Sequence, residues 1–422
     1  MSVSRSAPRI LFRVFQCVPW ARSIFRTCPK TKPAISRSAL ASGSKSQTIL
    51  EPDASAFRLI CRFRLAVRLS TTSREMLSRM MPPLRLQPLI KQRPWGGRQL
   101  TQLWHNSDQD ASSDLRGDTA GWAESWEVVD LGADQSRVVG GEFSGRSLSD
   151  LVREHGEELL GVQAALQQFP LLFKFLDAAE LLSVQVHPND EQAVQLRVGP
   201  RGKCEAWVII AAEPGSELSV GLKLGVDRDL FERHLARGTV AECLNTFPAR
   251  VGDVISVPAG TVHAIGGGVA LAEIQQASDV TFRLFDWNRL DANGHRRTLH
   301  IAEAMQCIDF SREPIKPLLP RVLDPQQFDP QLLQPNGVTR HEELIRNAHF
   351  QWRRHHANQA AFALPVCGRC RIVSLIAGSA ELSSPTNRER LRPGDTLLIP
   401  TSCGKVEVIS ASDSILLEAM PE

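Results

Sequence analysis

Leu181-Leu182-Ser183-Val184-Gln185-Val186-His187-Pro188-Asn189-Asp190 is the stretch from which the fold can be read. Apolar and polar side chains alternate with a period of two. As a strand it therefore sets Ser183, Gln185 and His187 on one face and Leu182, Val184 and Val186 on the other. A buried row of hydroxyl, amide and imidazole is costly unless those groups are hydrogen-bonded or bind something. A metal ion or a polyhydroxy ligand is the simplest partner for such a row.

The neighbouring segments repeat the pattern. In Gly202-Lys203-Cys204-Glu205-Ala206-Trp207-Val208-Ile209-Ile210, Lys203 and Glu205 share one face while Cys204 and Ala206 take the other. Residues 250–263 read as strand, turn and strand, with His263 just past the turn. From Leu271 to Phe285 the odd positions are polar (Glu273, Gln275, Asp279, Thr281, Arg283) and the even ones apolar (Ile274, Val280, Phe282, Leu284). This run is one polar face or two strands joined at a bulge. Upstream, Leu84 to Lys91 reads as a strand, Pro94-Trp95-Gly96-Gly97 as a turn, and residues 121–129 as a strand with Glu124 off the face of Ser125 and Glu127. Helical spacing appears over 147–166, with Ser147 as a cap, over 189–193 and over 227–246.

Gly252-Asp253, followed five residues on by Pro258, recurs as Gly394-Asp395 and Pro400. Five residues past the first proline is His263, and five past the second is Lys405. Short strands with Gly/Pro punctuation and a repeated turn predict a mainly β protein: two cupin-type (jelly-roll) β-barrels with a few short helices, only the first bearing metal. The expected divisions are a basic extension over 1–81, a catalytic domain with helical insertions over 82–320, and a metal-free β domain over 321–422.

With 422 residues, 42% of them apolar, the chain has room for a sizeable core and two or three domains. No apolar run is long enough to predict a membrane span. Nine scattered cysteines, an odd number, suit a reducing compartment and a cytoplasmic location, and Cys367-Gly-Arg-Cys370 stands without a second pair. Residues 1–81 hold fifteen Lys/Arg against Glu51, Asp53 and Glu75, a net of +12, which leaves −9 on the remainder of a chain that totals +3. An acidic body with a basic head is no nucleic-acid footprint. The head reads as an over-extended start before Met76, Met80 or Met81, a transit-like presequence, or a disordered tail.

Gln185, His187, Glu205 and His263 come from three separate strands whose polar faces could converge inside one barrel. Two imidazoles, a carboxylate and an amide oxygen are a donor set zinc accepts, with room left for substrate. Read singly, each histidine is a surface residue and Glu205 a partner for Lys203; together, on matched faces, they favour a site. Lys203 and Arg283 suit an anionic substrate such as a phosphate, although Arg283 also has Asp279 and Asp286 as possible partners. Glu273 and Asp279 are candidates for proton transfer, or plain ion-pair members. An iron cupin oxygenase is the competing metal reading, which the amide at Gln185 disfavours.

PWGG (94–97), FPLLFKFLDA (169–178), LSVQVHPND (182–190), GKCEAW (202–207), GDVISVPAGTVHAIGGG (252–268), LAEIQQASDVTFRLFDWNR (271–289) and Leu299-His300 resemble, in order and spacing, the short bacterial branch of the phosphomannose isomerase type I family, over about residues 84–420. The resemblance implies a cupin fold, one zinc ion per chain, and interconversion of mannose 6-phosphate and fructose 6-phosphate through an enediol(ate). It implies Gln185, His187, Glu205 and His263 as zinc ligands, and Arg283, Lys203, Glu273 and Asp279 as catalytic residues. Ser183, Lys203 and Arg283 are the implied substrate-binding residues. A non-catalytic cupin that senses metal or sugar phosphate is the alternative. The expected partner is a small sugar phosphate, with no nucleic acid or membrane, on a monomer or homodimer. Gly202 stands where longer members carry a histidine, and the chain lacks tyrosine, with Phe282 and Phe285 where relatives often have it.

Overall fold

Near-continuous apolar runs decide the centre of the fold. The computed structural model describes residues 80–101, 122–290 and 294–422. Within them Trp122–Val128, Leu171–Ala178 and Val269–Gln276 are strands in which every residue is buried. Strands with no solvent-facing side need cover on both faces. These three lie in a six-stranded sheet ordered Val254–Val257, Glu205–Ala212, Val269–Gln276, Leu171–Ala178, Trp122–Val128 and Leu89–Gln92, each pair antiparallel.

One face is covered by a five-stranded sheet: Leu244–Pro248, Glu217–Leu222, His263–Ile265, Val184–Val186 and Phe282–Phe285. Trp207, Ile209 and Leu271 of the larger sheet share a core there with Leu218, Val220 and Ile265 of the smaller. The other face carries Phe173, Phe175, Val208 and Ile274, which pack on Leu344, Trp352, Ile372 and Leu417 of an eight-stranded sheet. That sheet meets a further five-stranded one through Leu375, Leu397 and Leu416 on one side and Phe362, Leu382 and Val408 on the other. The layers thus run five, six, eight and five strands. The jelly-roll expectation is met by two double-sheet sandwiches whose ladders stay open; no barrel closes among the described residues.

The stretch 84–91, read as one strand, is two. Pro88 has no N–H to donate, and the chain changes sheet at it. Leu84–Gln87 pairs with Thr396–Ile399 in the eight-stranded sheet, with Leu84 opposite Leu398, while Leu89–Gln92 pairs with Trp122–Val128. Met81 is buried in the same seam, and its N–H donates to Ser402 Oγ at 3.2 Å. The rest of the basic extension, residues 1–79, lies outside the described residues.

Alternation in the central stretch holds where it is a strand and fails where it is not. Only Val184–Val186 is extended and paired. Val184 and Val186 face outward onto Phe231, Phe282, Leu284 and Met305, beneath the helices Arg228–Arg237 and Ile301–Cys307. Leu182, placed with them by parity, instead turns inward beside Trp95 and Leu176. The 147–166 segment forms Leu148–Glu154 and Gly156–Leu160, opened by a reciprocal cap in which the Ser147 side chain accepts from Asp150 N–H. The 189–193 turn is the helix Asp190–Gln195, capped the same way by Asn189. The helix expected over 227–246 stops at Arg237, because Gly238 takes the left-handed conformation (φ 70°), and Leu244–Pro248 is an edge strand.

In the second sandwich Thr396–Ile399 repeats Val254–Val257, but Lys405 lies exposed at the surface, ion-paired to Asp329 at 3.3 Å and Glu407 at 3.1 Å. Its interior holds a different polar group: His341 Nδ1 lies 2.8 Å from His355 Nδ1, and His355 Nε2 lies 3.2 Å from Glu418 Oε2. Arg371 and Arg353 reach the same carboxylate. Burial, and then His355 beside it, pushes His341 down to about 3. Burial alone would raise the Glu418 carboxyl, but Arg371 and His355 outweigh it and hold it low.

Both shifts act in one direction. The folded chain binds fewer protons at His341 than the unfolded chain between pH about 6.5 and 3, and fewer at Glu418 below pH about 4.3. Stability is therefore expected to fall as pH drops from 7 to 4. In thermal unfolding across that range, His341→Phe should show a shallower fall in Tm than the parent; an identical slope would contradict the assignment.

Candidate active site

The two sheets of the first sandwich separate at one end into a cavity of about 400 Å³, and each contributes a different chemistry to it. From the five-stranded sheet come uncharged or cationic groups in register. Gln185 pairs across one strand boundary with His263 and across the other with Arg283. Directly opposed residues share a face, so all three point the same way. From the six-stranded sheet come Glu205 and Glu273 on adjacent strands, with Lys174 opposite Glu273.

His187 follows its strand and is carried inward by the turn at Pro188. Three backbone contacts hold that turn: Gly260 N–H donates to His187 O at 2.9 Å, Lys203 N–H to Pro188 O at 2.9 Å, and Gly202 N–H to the Asp190 carboxylate at 2.7 Å. Gly202 is obligatory there. A Cβ on it would lie 2.3 Å from the Asn189 carbonyl carbon and 2.4 Å from Pro188 O, so the close passage of the 188–189 backbone excludes any side chain at this place.

Both imidazoles present the same nitrogen. His187 Nδ1 lies 2.9 Å from Val280 O, and His263 Nδ1 lies 2.9 Å from Thr261 O. A carbonyl only accepts, so each Nδ1 carries the proton and each Nε2 offers a lone pair. Burial, and then the Lys203 charge, keeps His187 far below the ordinary histidine value, and burial also lowers His263. Glu205 extends one carboxylate oxygen to each ring, 3.5 Å from His187 Nε2 and 3.4 Å from His263 Nε2. Gln185 Nε2 lies 3.1 Å from His263 Nε2, and a half-turn of that amide puts its oxygen at the same point.

Glu205 ends a row of alternating charges. Lys203 Nζ lies 2.6 Å from Glu205 and 3.4 Å from Glu273; Lys174 Nζ lies 3.3 Å from Glu273 and 3.4 Å from Glu124. All five are buried. Burial alone would push the ammonium of Lys203 down and the carboxyl of Glu205 up. Their mutual attraction outweighs it, leaving Lys203 above and Glu205 below the usual range. Glu273 gives way instead: burial, and then the Glu205 charge beside it, pushes it up to about 7. Three carboxylates against two ammoniums leave the row one negative charge in excess when all are ionised.

At the cavity mouth Arg283 Nε donates to Ser183 Oγ at 3.2 Å and its Nη1 to Thr298 O at 2.9 Å. Arg93, Arg297 and the exposed Asp279 also line the cavity. Every residue singled out from the sequence thus reaches one cavity or its wall. Among the described residues, His187, Glu205 and His263 form the one group of three candidate ligands, their donor atoms within 4.8 Å of one another. Four residues escaped sequence reading: Lys174, Glu124, Arg93 and Arg297. Lys174 sits in an otherwise apolar run, a signal that was available; nothing local distinguishes Arg297 from its neighbour Arg296.

Comparison with known proteins gives the relationship. The family model for the catalytic domain of phosphomannose isomerase type I matches residues 83–202. The mannose-6-phosphate isomerase ManA of Bacillus subtilis (strain 168) is 31% identical over 334 residues, covering 79% of this chain and 98% of that protein. The chain belongs to the phosphomannose isomerase type I family. The mannose-6-phosphate isomerase of Streptococcus mutans is 30% identical over 341 residues, with the same coverage. The crystal structure of the mannose 6-phosphate isomerase from Bacillus subtilis superposes with a TM-score of 0.68 at 25% identity, covering 80% of this chain and 99% of the other. The matched family segment ends at Gly202, before Glu205, His263, Glu273 and Arg283, while the two relatives match over 79% of the chain. No helix among the described residues is long and apolar enough to cross a membrane.

Lys203 was expected both among the catalytic residues and on the substrate. Its Nζ is engaged by Glu205 and Glu273, beside His187 Nε2 at 3.4 Å. Lys203→Ala is therefore expected to lower kcat by on the order of a hundredfold, the effect of losing one preorganised charge, while KM for sugar phosphate moves only a few-fold. A large rise in KM with kcat preserved would return Lys203 to the phosphate.

Proposed function

We propose that this family member interconverts mannose 6-phosphate and fructose 6-phosphate with one zinc ion per chain, held by Gln185, His187, Glu205 and His263. The observation that carries the reading is the convergence of two neutral imidazole lone pairs and an ionised carboxylate beside a cavity lined by the guanidiniums of Arg93, Arg283 and Arg297. Zinc ligands about 2.0–2.2 Å from the ion stand roughly 3.4 Å apart in a tetrahedral set. One Glu205 oxygen lies 3.5 Å from His187 Nε2 and the other 3.4 Å from His263 Nε2, near that spacing, with all three donor atoms within 4.8 Å of one another.

Such an ion supplies Lewis acidity to the C1 and C2 oxygens of the open-chain sugar. The remaining work falls to the chain. Arg283, with Ser183 fixed to it, binds at the mouth and takes the phosphate, which directs C1 and C2 to the ligand end. Lys203, held as an ammonium, stabilises the negative charge of the enediol(ate). Glu273, inside the cavity between Lys174 and Lys203, is the group placed to carry the proton between C1 and C2, ahead of the exposed Asp279.

A coupled assay of fructose 6-phosphate formation, with zinc measured in the same preparation, tests the reading. Chelation should abolish turnover and zinc restore it. Glu205→Gln and His187→Ala should each lose bound zinc and reduce kcat by about a hundredfold or more. Zinc binding without turnover would favour a non-catalytic sensor of metal or sugar phosphate instead.

A further inference from the structure

Asp286, on the turn that follows Arg283, takes part in no step described above, yet it is buried at 5% exposure and organises two arginines. Its Oδ1 accepts from Arg289 Nη2, and from Arg297 Nη1 at 3.5 Å. Its Oδ2 is buried with no hydrogen-bond partner. Arg289 then reaches across to donate to Leu181 O at 2.6 Å, and Trp287 Nε1 donates to Leu182 O at 2.7 Å. Those two carbonyls lead directly into Ser183, the hydroxyl that receives Arg283 Nε. Trp287 and Asn288 both hold left-handed backbone (φ 54° and 56°), a costly pair for residues with side chains, kept in place by these contacts.

We propose that Asp286 is a positioning residue for the phosphate of the substrate: it aims Arg297 into the cavity mouth as a second guanidinium beside Arg283, while Arg289 and Trp287 clamp the 181–182 backbone beneath them. The proposal rests on the isomerase reading for the identity of the anion. Charge supports it. The Arg283 charge is opposed by Arg297 and Arg289 and favoured by Asp286, so the four act on one another. Three guanidiniums less one carboxylate leave +2, and Arg93 and Asp279, which line the same cavity, offset one another. A phosphomonoester carries about −1.5 to −2 at neutral pH and matches that surplus. Arg297 is 36% exposed and held by a long contact, so without Asp286 its position is undetermined.

The test pairs titration calorimetry of the full chain with inorganic phosphate and steady-state kinetics with mannose 6-phosphate, on the parent, Asp286→Asn, Arg297→Gln and the double variant. Each single variant is expected to weaken phosphate binding and raise KM by about tenfold, with kcat falling by less than about threefold. The double variant should bind no more weakly than Arg297→Gln alone, since Asp286 acts through Arg297. Unchanged phosphate affinity in Asp286→Asn, or losses that multiply in the double variant, would overturn the proposal. Should Asp286→Asn not fold, the exposed Arg297→Gln decides, and parental phosphate affinity in it overturns the proposal. Phosphate binding that depends on both residues in a protein without turnover would support the positioning role and remove the isomerase reading.

Discussion

A carboxylate with no access to water, Glu205, sets the terms for the rest of the structure. An ion so placed costs several kcal/mol unless opposite charges and donors surround it. Lys203 at 2.6 Å supplies that opposite charge; the two neutral imidazoles, which turn lone pairs toward the carboxylate, do not. Lys203, buried in turn, needs Glu273; Glu273 needs Lys174; and Lys174 needs Glu124. The alternating row is thus one electrostatic unit. Removing any interior member strands a buried charge, which explains why an otherwise apolar sheet face carries five ionisable groups together and none singly.

The layered fold supplies what such a row requires. Four of its members project from the six-stranded sheet and Lys203 from the entry to it, a layer covered on both faces, so the backbones of the four are fixed by ladders and by core packing at once. The facing sheet contributes no carboxylate to the centre. It offers Gln185 and His263 as opposed neighbours, with Arg283 next in the row. Charge is therefore concentrated on one wall and neutral or cationic donors on the other. The cavity between them thus has a polar row at one end and guanidiniums at the mouth.

The second sandwich is built with a similar strand-closing turn but has lost the convergence. Lys405 points to surface carboxylates, and the interior is occupied by His341, His355 and Glu418 linked in a chain, with no three donors meeting at one point among the described residues. Its contribution is the seam, where Trp352 and Phe350 cover the outer face of the catalytic sheet.

Much of this was legible in the chain because strand periodicity is local. A two-residue repeat picks out Ser183, Gln185 and His187, Lys203 and Glu205, and Glu273 and Arg283, and with them the four candidate ligands, although Ser183, His187 and Lys203 lie just past strand ends and Glu273 and Arg283 lie in different sheets. Parity says nothing beyond the ends of a strand, which is why Leu182 turned the other way and why Pro88 divides what looked continuous. Only the tertiary structure decided which face of which sheet meets another, that Lys203 pairs with both Glu205 and Glu273, and that Lys174, Glu124 and Arg297 line the same cavity. Those outcomes depend on charge balance between residues distant in sequence. A lysine or arginine shows its partner only when the strands carrying both have been brought together.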